Sequence, residues 1–252
     1  MPRVDPKDKE TFEAMVATVQ EFYPKYKVVS KKSSWHQKFI GWLFKTLGFN
    51  KTYMTRYWTT IGSTVYYPIE NYEGRHYANW AVNVHEGNHA GQANRWSPFL
   101  FGSLYLLGTP LYAVVFLLLS IPFFIVGGLV EAFPWWSGLI VFGAGLLLSC
   151  PVPFGWWRFH WEAQAYGSSI AVRNWCYGEQ AVSDAYIERK IKNFTGGDYF
   201  FMMPFAGVVR KRLKQARRLA LEKKFITQWE PHYAKYYAAC YKTLEEQGRV
   251  QS

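Results

Sequence analysis

Residues 77–95 read YANWAVNVHEGNHAGQANR, and the pentapeptide His85-Glu86-Gly87-Asn88-His89 at their centre has the form H-E-x-x-H. On an α-helix, positions i and i+4 share one face, so both imidazoles project side by side and can hold a single zinc ion. Glu86 then lies beside the metal, placed to act as general base toward a water whose pKa the metal lowers. Trp80, Val84 and Asn88 recur at helical spacing, whereas Gly87 and Gly91 each lower helix propensity by about 1 kcal/mol. The pattern predicts a helix held by packing.

A catalytic zinc takes three protein ligands and keeps one position open. The third donor is expected in Arg158-Phe-His-Trp-Glu-Ala-Gln-Ala-Tyr166, within a helix read over 157–177. Glu162 is preferred, since two His and one Glu form an established catalytic set. His160 is the alternative, although two residues along a helix it points to a different face. Tyr166 is a candidate for oxyanion stabilisation and His160 for supporting the ligands; simple packing is the plainer role for a helical Tyr.

Between Arg95 and Arg158 there are 62 residues with one charged side chain, Glu131. The stretches 111–130 and 133–152 each approach the roughly twenty residues that a spanning helix needs, and Glu131-Ala-Phe-Pro-Trp-Trp136 has the makeup of an interfacial turn. A transmembrane hairpin is expected, with a buried hairpin in a protein core as the other reading. All 29 Lys and Arg lie outside this segment, which by the positive-inside tendency puts both flanking parts in the cytoplasm.

The 252 residues are half hydrophobic and 19% aromatic, which excludes a disordered or collagen-like chain. A net charge of +11 favours anionic lipid or nucleic acid as a partner without choosing between them. Three widely spaced cysteines form no C-x-x-C pair and no disulfide framework, and the polar first 30 residues contain no secretory signal. Phe12, Met15, Val16, Val19 and Phe22 predict a docked helix over 8–23. Residues 35–48 place Phe39, Ile40, Leu43 and Leu47 on one side with Lys38 and Lys45 at the flanks, as an interfacial helix or a core-packing helix would. The Thr-, Val- and Tyr-rich run 57–68 reads as a strand or hairpin, and 183–192 as another helix. In 207–229 an apolar stripe of Val209, Leu213, Ala216 and Ala220 is surrounded by Lys and Arg, suited to anionic lipid, to nucleic-acid phosphate, or to solvent alone.

HEGNH followed by Glu162-x-x-Ala165 resembles the gluzincin arrangement of thermolysin-type zinc metallopeptidases. The layout over about residues 55–175 is similar to that of uncharacterised membrane-associated HExxH proteins of bacteria and phages. The resemblance implies a zincin core with a strand along the substrate cleft, zinc on His85, His89 and Glu162, and Glu86 activating water. The chain departs from it in the gap of about 70 residues between His89 and Glu162, and in Gly87 inside the motif.

The resulting expectation is a mainly α protein with a small β element, a zincin-like α+β core plus a transmembrane helical hairpin. Residues 1–52 form membrane-interfacial N-terminal helices, 53–96 and 157–205 the metal-binding core, 97–156 the hairpin and 206–252 a basic helical region. The expected function is that of an integral-membrane, zinc-dependent metallohydrolase, a peptidase acting on peptides or membrane proteins. The alternative is a non-enzymatic membrane or phage structural protein with a structural metal site and a lipid- or nucleic-acid-binding helix.

Overall fold

The computed structural model describes residues 5–46, 51–69, 74–97, 156–196 and 202–251, together with 101, 118, 121, 136 and 138–140. Pro6 at the first turn and an Asp5 side chain accepting from the Lys7 backbone N–H (2.9 Å) start helix α1, Pro6–Phe22. Its buried face, Thr11, Phe12, Met15, Thr18 and Val19, packs on the C-terminal helix. Strand β1 (Lys27–Ser30), helix α2 (Trp35–Thr46), the single turn α3 (Tyr53–Arg56) and the hairpin β2 (Thr59–Ile61) and β3 (Thr64–Tyr67) follow. The sheet order is β1-β3-β2, with β1 parallel to β3 and β2 antiparallel to it, Thr60 opposite Val65.

The HEGNH segment forms α4, Val82–Trp96, and the return segment forms α5, Trp156–Tyr177. These two helices pack on each other, and α5 also packs on α7 (Ala206–Leu221). Helices α6 (Asp184–Thr195), α8 (Phe225–Gln228) and α9 (Ala234–Glu246) complete the described fold. Val209, Leu213, Ala216 and Ala220 of α7 are buried as the stripe predicts. The basic side chains of α7 turn largely onto the chain's own carboxylates. Arg210 pairs with Glu188 (2.7 Å), Arg212 with Glu230 (2.5 Å) and Arg217 with Asp184 (3.2 Å).

The expected transmembrane hairpin, and with it the integral-membrane, cytoplasm-facing placement, is corrected. Among the described residues no helix is long and apolar enough to cross a membrane. Helix α5 has 22 residues, a sufficient length, but carries Arg158, Glu162 and Arg173 and uses its face to pack on protein. Nearly all of 97–156, on which the hairpin was read, lies outside the described residues. Over the described residues the class is mainly helical with one three-stranded sheet.

Lys31, immediately after β1, is fully buried, its ammonium donating to the Tyr53 carbonyl (2.9 Å) and lying 3.6 Å from the Tyr53 ring centroid. Burial pushes its pKa down to about 7, against an opposing pull from Glu86. The unfolded chain therefore holds a proton between pH 7 and about 10.4 that the folded chain has released, so stability rises with pH through that window. Burial raises the pKa of Tyr26, Tyr236 and Tyr237, so their contribution is lost above about pH 10, where the unfolded phenols ionise. Urea titrations are expected to give maximal stability near pH 9–10, and Lys31→Met should flatten the rise between pH 7 and 9. An unchanged slope in that variant would assign the rise to other groups.

Candidate metal centre

Ten of the fifteen residues of α4 are buried, including Asn83, Glu86, Asn88, His89 and Gln92. Buried polar groups must be satisfied, and a ring of side chains from distant segments does so. Tyr237 donates to Asn88 Oδ1 (2.7 Å), Asn88 donates to Ser168 Oγ (2.9 Å), and Tyr26 donates to Asn83 Oδ1 (2.9 Å). Tyr236 donates to the Val84 carbonyl (3.0 Å).

That close packing explains the glycines. A Cβ at residue 87 would overlap the Tyr236 hydroxyl, and one at residue 91 the Tyr23 hydroxyl and the Tyr233 ring. Gly87, one of the two departures from the gluzincin pattern, is the residue that the tyrosine shell of this fold leaves room for. Gly87→Ala is expected to destabilise the chain by about 1–3 kcal/mol despite its better helix propensity. A shift of the urea midpoint to higher concentration would show that the shell yields.

On the opposite side, α4 presents His85 and His89 toward Glu162 of α5. Their Nε2 atoms lie 3.7 Å from Oε2 and Oε1 of Glu162, respectively. One ligand atom from each of the three residues falls within 4.8 Å of the other two. Tetrahedral bonds of about 2.0–2.1 Å separate ligand atoms by about 3.3 Å, so a small adjustment brings the three onto one ion. Among the described residues the group holds three donors and no fourth.

The far sides of both imidazoles are fixed. His89 Nδ1 lies 2.8 Å from Gln92 Oε1, and the Gln92 amide donates to Gln164 Oε1 (2.6 Å) and to the Trp161 carbonyl (3.1 Å). Since the amide nitrogen is committed, Oε1 must accept, so Nδ1 carries the proton and Nε2 presents its lone pair to the cluster. His85 Nδ1 meets Ser169 Oγ at 3.0 Å, and that hydroxyl donates to the Ala165 carbonyl (3.3 Å), which selects the same tautomer. Such outer partners orient metal-binding histidines. Burial disfavours a charged His85, but the neighbouring carboxylates of Glu162 and Glu86 outweigh it, raising its pKa.

Glu86, buried, accepts a hydrogen bond from Thr60 Oγ1 of β2, one of the two edge strands of the sheet among the described residues. The Tyr166 ring stands edge-on to His85, centroids 5.1 Å apart, and its hydroxyl accepts from Asn193 Nδ2 of α6 (3.0 Å). Lys190, one turn earlier on α6, lies 5.6 Å from the Tyr166 ring centroid and bears electrostatically on His85. His160 faces away. It lines a separate cavity of about 170 Å³ with Arg95, Trp96, Trp157, Glu230 and His232. Thr60, Gln92, Ser169, Lys190 and Asn193 have no motif that marks them in the sequence; only the short hairpin reading pointed toward Thr60.

The donor set, two imidazole nitrogens and one carboxylate with their tautomers fixed, fits zinc. Compared with known proteins, the chain matches no family model, no curated protein and no solved structure.

Proposed function

We propose that this chain is a zinc-dependent hydrolase of peptide or related acyl bonds. His85, His89 and Glu162 hold the metal and Glu86 is the general base. The observation that carries this reading is the convergence of three donors, with no fourth among the described residues. A structural zinc site is closed by four protein ligands, whereas a catalytic one keeps a position for water or substrate.

When bound, zinc supplies Lewis-acid polarisation of a carbonyl and lowers the pKa of a water toward about 7. The chain's own groups do the rest. Thr60 holds one oxygen of Glu86, which orients the carboxylate so that the other can take the proton from water and pass it to the leaving amine. The Tyr166 ring stands next to His85, and its hydroxyl, which accepts from Asn193, keeps its own proton to donate to oxyanion charge. Among the described residues β2 is an edge strand beside Glu86, the position at which an extended peptide substrate would add as a further strand.

The test combines elemental analysis of protein purified with zinc available and hydrolysis of a pool of quenched fluorescent peptides. About one zinc per chain together with chelator-sensitive cleavage supports the proposal. A bound zinc with all four positions filled by protein, and no turnover, would shift the reading to a structural site.

A further inference from the structure

Helix α2 is oriented against the usual rule. The positions it buries fully are small or polar, with Phe44 half-buried against Tyr53: Gln37 accepts from the Tyr53 hydroxyl (2.6 Å), and Gly41 lies against Met54 of α3. Its outward face carries Trp35, Phe39 and Trp42, which are 77%, 53% and 59% exposed and spaced i, i+4, i+7, with Phe39 and Trp42 stacked at 5.8 Å. A contiguous exposed aromatic face marks an interaction surface.

Charge identifies what it meets. From residue 22 to residue 69 the sequence contains eight Lys and Arg and no Asp or Glu. All but Lys31 are exposed, and Lys32, Lys38 and Lys45 lie on or beside α2. The basic helix α7, by contrast, is substantially compensated by its own ion pairs. Two copies of so basic a face would repel each other. Aromatic side chains along a helix flanked by lysines suit the headgroup zone of a bilayer, where Trp settles and Lys meets anionic lipid.

We propose that the α2 face adsorbs peripherally to an anionic lipid surface. The adsorbed helix is close to the candidate metal centre. His36 of α2 stands edge-on to Tyr66 of β3 (5.1 Å), Tyr66 pairs with Thr59 of β2, and the adjacent Thr60 holds Glu86. Adsorption through α2 would therefore place the edge of β2 near the lipid surface, where membrane-bound substrates are concentrated. The docking itself does not depend on the metal.

The experiment is cosedimentation of the full chain with vesicles of phosphatidylcholine alone or with 30% phosphatidylserine (about 30%, enough to give an anionic surface). The chain should prefer the anionic vesicles by about tenfold or more, since each lysine near such a surface contributes about fivefold. Trp35→Ser with Phe39→Ser and Trp42→Ser, and separately Lys38→Glu with Lys45→Glu, should each lower binding by about tenfold or more. Both variants should retain the wild-type circular dichroism, urea midpoint and zinc content, because the altered side chains point away from the core. Equal binding by wild type and variants would overturn the proposal, as would no binding to either vesicle. Self-association lost in the aromatic variant, without vesicle binding, would assign the face to a second copy. Salt-sensitive RNA binding without vesicle binding would assign it to nucleic acid.

Discussion

Glu162→Ala is expected to purify with little or no zinc where the wild type carries about one ion per chain. The carboxylate is the only donor in the cluster that comes from α5, and it lies 3.7 Å from both imidazoles. Its loss leaves two neutral imidazoles from a single helix, and two ligands fall short of the three that a catalytic zinc site uses. His89→Ala should have the same effect. Gln92→Ala should be milder, because it removes the group that orients His89 without removing a ligand; such changes lower affinity about 10–100-fold. The graded series separates a metal site from an ion-pair cluster. If the three residues only pair with one another, zinc will be absent from wild type and variants alike after metal-replete purification. Circular dichroism on each variant guards against unfolding, and Glu162→Gln provides a partner of the same size.

The helices that bear the site were legible because periodicity and the H-E-x-x-H spacing are local. Helix α4 has the two histidines on one face, and α5 begins within a residue of its expected start. Their meeting was less visible: about 70 residues separate His89 from Glu162, and periodicity says nothing about which helices pack. Strand β1 went unread because Lys27–Ser30 is four residues long and its pairing is parallel and non-local. Helix α2 shows a different limit. The sequence put Phe39 on an apolar side, but amphipathicity cannot say whether that side faces a core or a partner, and the structure exposes Phe39. The basic amphipathic pattern of 207–229 is divided between two helices, with α7 ending at Leu221 and Lys223 adopting a left-handed φ of 56° before α8. The apolar run misled the fold class because uncharged length and a turn of interfacial composition do not by themselves make a spanning helix, and no described helix has that character.

Glu86→Gln is expected to keep the zinc and lose about 10²–10⁴-fold in kcat/KM, the usual worth of a positioned general base. The substitution preserves the shape of the side chain, and its amide oxygen can still accept from Thr60, so β2 and α4 should keep their contact. It removes the one property that the reaction needs, the capacity to take a proton. Metal content and turnover should therefore separate in this variant, whereas in Glu162→Ala they fall together. Thr60→Val tests the same carboxylate from the other side. Without the hydroxyl, Glu86 keeps its carboxylate but loses its orientation, so a smaller loss, about tenfold, should appear chiefly in kcat with the zinc retained. Undiminished cleavage by Glu86→Gln would eliminate the proposed base, even with zinc bound at His85, His89 and Glu162. In that outcome the proton acceptor must be sought among the other groups facing the site, beginning with Tyr166 and Lys190.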